Sequence, residues 1–245
     1  MADYSYLGSG KVYMRVAGAA EPLAELGNCS VLNFSVTENT IELRDFTNVG
    51  GGTYNEVRRV DSVEVSVTAH DLSSANLRKA LFGTSTTTAS GSVTDEAATA
   101  YAEGFIPTVS PIDKTQTVTV TDSGAVTTYV DGTDYEVRDG GIYILSGTNI
   151  TEGESILITY TGVAFDLVQA LTQAAQEYEM VFEGLNEARS GKPVVVQAFR
   201  VKLGAAQNVS LIGEDYAALE LTGNVLQDST KGAGLSKYFT TKIAE

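Results

Sequence analysis

Ser62-Val63-Glu64-Val65-Ser66-Val67-Thr68-Ala69 is the stretch whose reading decides the fold class. Val63, Val65, Val67 and Ala69 alternate with Ser62, Glu64, Ser66 and Thr68. Successive side chains of a strand point to opposite faces, so this is a half-buried strand with one apolar and one small-polar face. The same period recurs upstream, where Leu32, Phe34 and Val36 alternate with Asn33, Ser35 and Thr37. It returns downstream in Tyr178, Met180 and Phe182 against Glu177, Glu179 and Glu183, and in Leu219, Leu221 and Val225 against Glu220, Thr222 and Asn224. The chain reads as mainly β.

Ile41 and Leu43 have the opposite parity to Leu32 and Phe34. The apolar face continues through them only if a bulge or turn intervenes near Glu38-Asn39-Thr40, and a break is expected there. Asp45 to Asn55 follows, with Gly50, Gly51 and Gly52 in succession, and is expected to be a long loop, mobile in a free monomer. One helix is signalled, from about Ser74 to Phe82, with Asp71 or Ser73 as its cap, Leu77 and Leu81 on one face and Gly83 as its stop.

Thr84 to Ser92 is a low-complexity run of Thr, Ser, Ala and Gly, read as a linker. Beyond it the charge changes: residues 1–90 hold 10 acids and 7 bases, residues 91–162 hold 11 and 2, and residues 163–245 hold 10 and 7. The middle third therefore carries -9 of the net -15. Such a shift marks an insertion, so residues 1–90 and 163–245 are assigned to one β core and 91–162 to an acidic inserted β module. Short strands are expected at 117–121, 126–130, 135–137, 142–145 and 156–160, separated by turns at Asp131-Gly132 and Gly140-Gly141. Asp166 to Gln176 favours helix by propensity, but the alternation leading into Tyr178 favours strand and turn.

No apolar run approaches the roughly 18 residues of a membrane span, and the first residues lack the basic start and apolar stretch of a secretory signal. A lone Cys29 forms no internal disulfide, so the chain is expected to be soluble and made in a reducing cytoplasm. The acidic balance opposes affinity for nucleic-acid phosphate. Any Ser-His-acid or Cys-His chemistry must use His70, the one histidine, which sits where a strand ends, and no G-x-S-x-G elbow accompanies it. Zinc lacks ligands. Asp131-Gly132-Thr133-Asp134-Tyr135-Glu136 is rich in oxygen donors, but its spacing is not that of a calcium loop and a hairpin with solvated turn acids accounts for it. Gly50-Gly51-Gly52 lacks the lysine of a phosphate loop, and no tryptophan offers a sugar platform. The expectation is a protein that is no enzyme and holds no cofactor or metal.

Several stretches in order along nearly the whole chain resemble the tail tube (major tail) proteins of bacteriophages with long non-contractile tails. They are Leu7-Gly8-Ser9-Gly10-Lys11-Val12-Tyr13, the glycine loop followed by Arg58-Arg59-Val60-Asp61, Asp71-Leu72-Ser73-Ser74-Ala75-Asn76-Leu77 and, in the middle module, Asp134-Tyr135-Glu136-Val137 with Gly141-Ile142-Tyr143-Ile144. Phe182-Glu183-Gly184-Leu185-Asn186, Leu221-Thr222-Gly223-Asn224-Val225 and Tyr238-Phe239 complete the set. The resemblance implies a β-sandwich or barrel core with one short helix, and six copies closing into a ring. Rings would stack into the virion's tail tube, assembled in the host cytoplasm, with tape measure and tail terminator proteins as further partners. Genome DNA would pass through the lumen without specific binding.

On that reading Asn33, Ser35, Ser62, Glu64, Ser66 and Thr68 are expected to line the lumen, with Glu179 and Glu183 or Glu220 adding charge and no base among them. Phe46, Asn48, Gly50, Gly51, Gly52, Tyr54 and Asn55 are expected to bridge subunits or rings, ordering on assembly. The acidic module is expected on the tube exterior. A secreted ring protein of the type VI kind shares the expected architecture, but the inserted module argues against so compact a relative. A surface adhesin or carbohydrate-binding β protein would call for a secretion signal and an exposed aromatic face.

Overall fold

The computed structural model describes residues 4–244. The chain runs β1 (Gly8–Val16), β2 (Ala24–Glu25), β3 (Cys29–Arg44), β4 (Thr53–Ala69), α1 (Ser74–Ala80), β5 (Thr84–Thr88), β6 (Gly91–Thr99) and β7 (Phe105–Pro107). It continues β8 (Thr119–Asp122), β9 (Thr128–Tyr129), β10 (Tyr135–Arg138), β11 (Gly141–Ile144), β12 (Ser155–Gly162) and β13 (Phe165–Gln169). The last strands are β14 (Glu177–Asn186), β15 (Lys192–Leu203), β16 (Leu219–Val225) and β17 (Phe239–Ile243). The fold is mainly β, with antiparallel sheets and α1 as its one α-helix among the described residues.

Two compact units are present, one of residues 1–84 and 168–245 and one of Ser85–Leu167. The second begins at 85 rather than 91 and ends at 167 rather than 162, because the stretch expected to be a low-complexity linker holds strand β5, which pairs with β13. Threonines suit extended backbone, which is why a low-complexity run rich in them forms a ladder. The same pairing decides the ambiguity after Asp166 in favour of strand and turn.

The first unit is built on one antiparallel sheet of order β2-β1-β14-β15-β16-β4-β3. It forks at β15, whose Val194–Ala198 pair with β17 and whose Val201–Leu203 pair with β16. The two leaves face one another, so Phe34 of β3 stacks on Phe239 of β17 with ring centroids 5.2 Å apart. Val12, Met14, Val65, Val67, Met180, Val201, Leu203, Leu219 and Leu221 are all buried in the single core between them. Each fully buried aliphatic side chain contributes about 1.5–3 kcal/mol relative to exposure, so this core is the main support of the unit.

The N-terminal strand joins the C-terminal half through the β1–β14 ladder, where Gly10 faces Gly184 and Val12 faces Phe182. A Cβ at Gly10 would collide with the Glu183 carbonyl, so glycine is required there by close backbone approach. Buried Asn186 receives the Leu7 N–H on Oδ1 at 3.1 Å and donates to the Ser5 carbonyl at 3.0 Å, tying the N-terminal segment down.

Helix α1 is capped by Ser73, whose Oγ accepts the Asn76 N–H at 3.2 Å. It ends at Ala80, before the expected Phe82, because Phe82 takes the left-handed conformation (φ 48°) and Gly83 N–H bonds back to Arg78 O at 2.9 Å. The stop is thus a Schellman-type turn with a non-glycine at its left-handed position. Gly83 serves instead to let the Gln169 backbone approach.

The second unit has a four-stranded sheet β6-β12-β8-β9 and a three-stranded sheet β10-β11-β7, with Tyr135, Ile142, Ile144, Ile156, Ile158 and Tyr160 buried among its core residues. β6 and β7 were not anticipated, while the strand expected at 126–130 is reduced to Thr128–Tyr129. Many of its acids are turn clamps: Asp122 accepts the N–H groups of Val126 and Thr127 at 2.7 and 2.8 Å, and Glu154 accepts Tyr129 OH at 2.6 Å. Burial and that bond push Tyr129 up to about 12.

Candidate functional site

The six residues expected to line a lumen lie on one face of the β3–β4 pair. In register, Asn33 faces Ser66, Ser35 faces Glu64, Val31 faces Thr68 and Thr37 faces Ser62. Asn33, Ser35 and Glu64 are exposed, and Ser62, Ser66 and Thr68 are half-buried. β16 extends the same surface, with Glu220 opposite Thr68, Thr222 opposite Ser66 and Asn224 opposite Glu64. Thr222 and Asn224 were readable as a polar face from their alternation, but joining them to Glu64 requires knowing that β16 docks on β4.

No base lies on this surface at the root of the β3–β4 pair or on β16, but Arg59 shares its side farther out on β4. Farther along the same ladder Lys202 faces Asn224, and Glu177 faces Lys202. Arg15 pairs with Glu179 at 2.6 Å and Arg200 with Glu177 at 2.8 Å, while Gln197 Nε2 donates to Glu179 at 2.6 Å. Glu179 is therefore a partly buried, neutralised carboxylate and supplies no free charge, whereas Glu220 and Glu64 carry no ion pair among the described residues. The polar face divides into a small-polar half and an ion-paired half.

β3 and β4 continue together past the core as a two-stranded arm. Glu38 faces Val60 although Thr37 faces Ser62, which leaves Asp61 as a one-residue bulge in β4. A register shift was expected near here, and it falls between Thr37 and Glu38, but β3 itself does not break. Ile41 and Leu43 consequently keep the side of Asn33 and Ser35 and do not extend the core face, contrary to expectation. The bulge instead sets Val57 opposite Ile41 and places Glu38, Thr40 and Glu42 on the side continuous with the core. The arm is amphipathic in the reverse sense to its root. Ile41, Leu43 and Val57 are 51%, 52% and 45% exposed.

The tip is shorter and better tied than expected, since Thr53, Tyr54 and Asn55 belong to β4 and the loop is Asp45–Gly52. Asp45 N–H donates to Gly52 O at 2.6 Å, and the Asp45 carboxylate accepts the Thr47 N–H, the Thr47 hydroxyl and the Asn48 amide at 2.7, 2.6 and 2.8 Å. These bonds hold its carboxyl at about 2. Gly50 (φ 103°) and Gly51 (φ 52°) supply the left-handed backbone the turn requires. Phe46 and Tyr54 are exposed beside them, and Asn48 lies within the turn.

His70 Nδ1 lies 3.3 Å from Ala217 O and Nε2 2.9 Å from Ser30 Oγ. A carbonyl only accepts, so Nδ1 carries the proton and Nε2 accepts from the serine. The third group is thus a backbone carbonyl where a triad would hold a carboxylate; the arrangement ties the start of β3 to the root of the β15–β16 loop. Asp134, expected to be a solvated turn acid, is buried at 2% exposure. It accepts from Val130 N, Asn149 N, Asn149 Nδ2 and Thr148 Oγ1 at 2.9, 2.9, 2.9 and 3.2 Å, which holds its pKa below the usual carboxylate range and leaves its oxygens engaged. An aromatic pair not anticipated from the sequence, Phe105 facing Tyr143, lies on the three-stranded sheet, with the Arg138 guanidinium 4.1 Å from the Tyr143 ring centre. Among the described residues no group of three or more His, Cys, Asp and Glu converges on a metal position, and no helix is long and apolar enough to cross a membrane.

A family model described as "Protein of unknown function UCP028589" matches residues 5–242. No curated protein matches the chain.

Proposed function

For this chain, which belongs to the UCP028589 family, we propose the role of a structural subunit that closes into six-membered rings and stacks as a phage tail tube. The observation that carries this reading is the β3–β4 hairpin, whose root buries one face in its own core and offers a small-polar face outward, and whose arm bears an uncovered apolar stripe. A wall around passing DNA needs strands that pack on one side and meet water and phosphate on the other. It also needs few unpaired bases, because each lysine or arginine that neutralises a phosphate adds counterion-release affinity that, repeated along a tube, stalls the genome. On β16 and the root of the β3–β4 pair, Glu64 and Glu220 are acidic and the remaining outward groups are neutral, with Arg59 the base on that side of the arm. Ring closure would pair the free edge of β3, which otherwise presents a row of unsatisfied backbone groups.

The ordered resemblance along the chain supports the same reading, and the inserted unit, with a core of its own, is assigned to the exterior. In this reading the protein works by shape and surface charge, with neither catalytic group nor cofactor. Negative-stain imaging of the purified protein tests it: tubes, or rings with six-fold symmetry and a central hole, are expected, and a monodisperse monomer at every concentration and salt would overturn it.

A further inference from the structure

The three-stranded sheet β10-β11-β7 of the second unit has an outward side built of two short rows. Phe105, Tyr143 and Glu136 face one another across the three strands, and Pro107, Gly141 and Arg138 form the next row. Ile106, Ile142 and Val137 alternate with them and pack into the unit's core, so both rows turn outward. Phe105 is 48% exposed. Its Cζ comes within 3.7 Å of the position a Gly140 Cβ would take, so the ring lies along the sheet toward the glycine turn and keeps a face open to water. Gly141 leaves a gap between Pro107 and Arg138, and a Cβ there would collide with the Ile106 carbonyl oxygen. On the far side of Tyr143 the Arg138 guanidinium lies over the ring, and its Nε and Nη2 both donate to Glu136 Oε2, at 3.3 and 3.0 Å. Among the described residues Glu136 Oε1 and Arg138 Nη1 make no hydrogen bond.

We infer that this surface binds a neutral hexopyranose of a polysaccharide, stacked on Phe105 with two adjacent hydroxyls on Glu136 and Arg138. The negative face of an aromatic ring attracts the weakly positive C–H groups on the apolar side of a sugar ring. Two adjacent hydroxyls call for an acceptor beside a donor, which Glu136 Oε1 and Arg138 Nη1 provide. Charge selects a neutral partner. The two charges of the surface neutralise one another, and Lys114, the other base of residues 91–162, is held by Asp139 at 2.7 Å, so an anion meets no free base. Size selects a small one, since one open ring and a few neighbours fall short of the roughly 800 Å² per partner that a stable protein interface buries. A single site of this kind is weak, and copies repeated along a tube would hold a polysaccharide by avidity. That gain rests on the tube reading, whereas the site itself does not.

Saturation-transfer NMR on the full chain tests the site, with cellohexaose, galactohexaose, mannohexaose and N-acetylchitohexaose as separate probes and hexalysine and polyphosphate as charged controls. Transfer to at least one neutral probe is expected, strongest on the C–H protons of one ring face and unchanged at about 0.5 M salt, where surface charge is screened. Phe105→Ala should weaken binding about five- to tenfold and Phe105→Trp should retain it. Amide exchange over residues 85–167 should match the parent in both. If Phe105→Ala loses that protection, Arg138→Gln, which touches no core residue, carries the same test with the same expected loss. No transfer to any neutral probe, or transfer indifferent to these substitutions, would overturn the site. Binding of hexalysine alone, abolished by salt, would give the surface to a cationic partner and overturn the saccharide assignment. Tubes or rings in the image without saccharide transfer would overturn the site and leave the tube reading standing. Saccharide transfer that Phe105→Ala weakens, in a protein that stays monomeric, would support the site and overturn the tube reading.

Discussion

Glu38 faces Val60 across the hairpin while its neighbour Thr37 faces Ser62, so Asp61 has no partner in β3. This single unpaired residue brings Val57 opposite Ile41; in simple continuation of the root register Ile41 would face Arg58. Ile41, Leu43 and Val57 are thereby gathered, with Arg59, on one side of the arm, and that side is the one turned away from the core.

Deleting Asp61 therefore joins two residue pairs that are already formed. The expected cost to the core is about 1 kcal/mol or less, the range of a change that breaks no buried contact. Amide exchange should show the arm protected as in the parent protein. A loss of protection through Glu38–Arg44 would mean that the bulge, and not the pairing around it, holds the arm.

Glu64 is exposed between Ser35 and Asn224, and no neighbour among the described residues pairs with its charge. Glu64→Lys should fold, because the site is open to water, and should assemble. On the tube reading it should slow DNA release from assembled particles, with the delay shrinking as salt rises. Release at the parent rate would place this face elsewhere than the lumen.

Asp134→Ala removes the acceptor of two backbone N–H groups, those of Val130 and Asn149, from a buried position. The expected loss is about 1–3 kcal/mol, localised to the second unit and read by amide exchange over residues 85–167. The carboxyl is held below its free value of 3.8, chiefly by the Asn149 N–H. A depressed carboxylate contributes stability that is complete above its unfolded pKa and is lost as pH falls through the folded one. The parent's second unit should thus lose its advantage over Asp134→Ala only on acidification below about pH 4. An unchanged difference between the two proteins well below that pH would show that the loop is held by packing.

Removing Ser85–Leu167 and rejoining Thr84 to Val168 through a short linker should leave the first unit folded, since its core residues all lie outside the excision. Circular dichroism and the assembled form seen by imaging check this. A shortened chain that is unfolded would make the inserted unit part of what stabilises the core.

The period-two patterns of Val63 to Ala69, Leu32 to Val36 and Leu219 to Val225 were sufficient to make the fold class legible. Burial on one side of a strand writes itself into every second residue. The charge shift located the inserted unit to within a few residues at each end, for the local reason that its turns are built on carboxylates. Partnership was not legible. That Gly10 meets Gly184, that Asn224 carries the Glu64 face on to Lys202, and that Arg15 neutralises Glu179 all depend on which strands lie side by side, a matter of contacts between residues far apart in the chain. The arm is the clearest case. Parity showed that Ile41 and Leu43 change sides relative to the core pattern, but whether a bulge would return them inward or leave them out depended on which strand accommodated the extra residue. The pairing put it in β4, and β3 ran on unbroken. The apolar stripe therefore faces outward, because a strand's side-chain alternation is local while its register belongs to the pair.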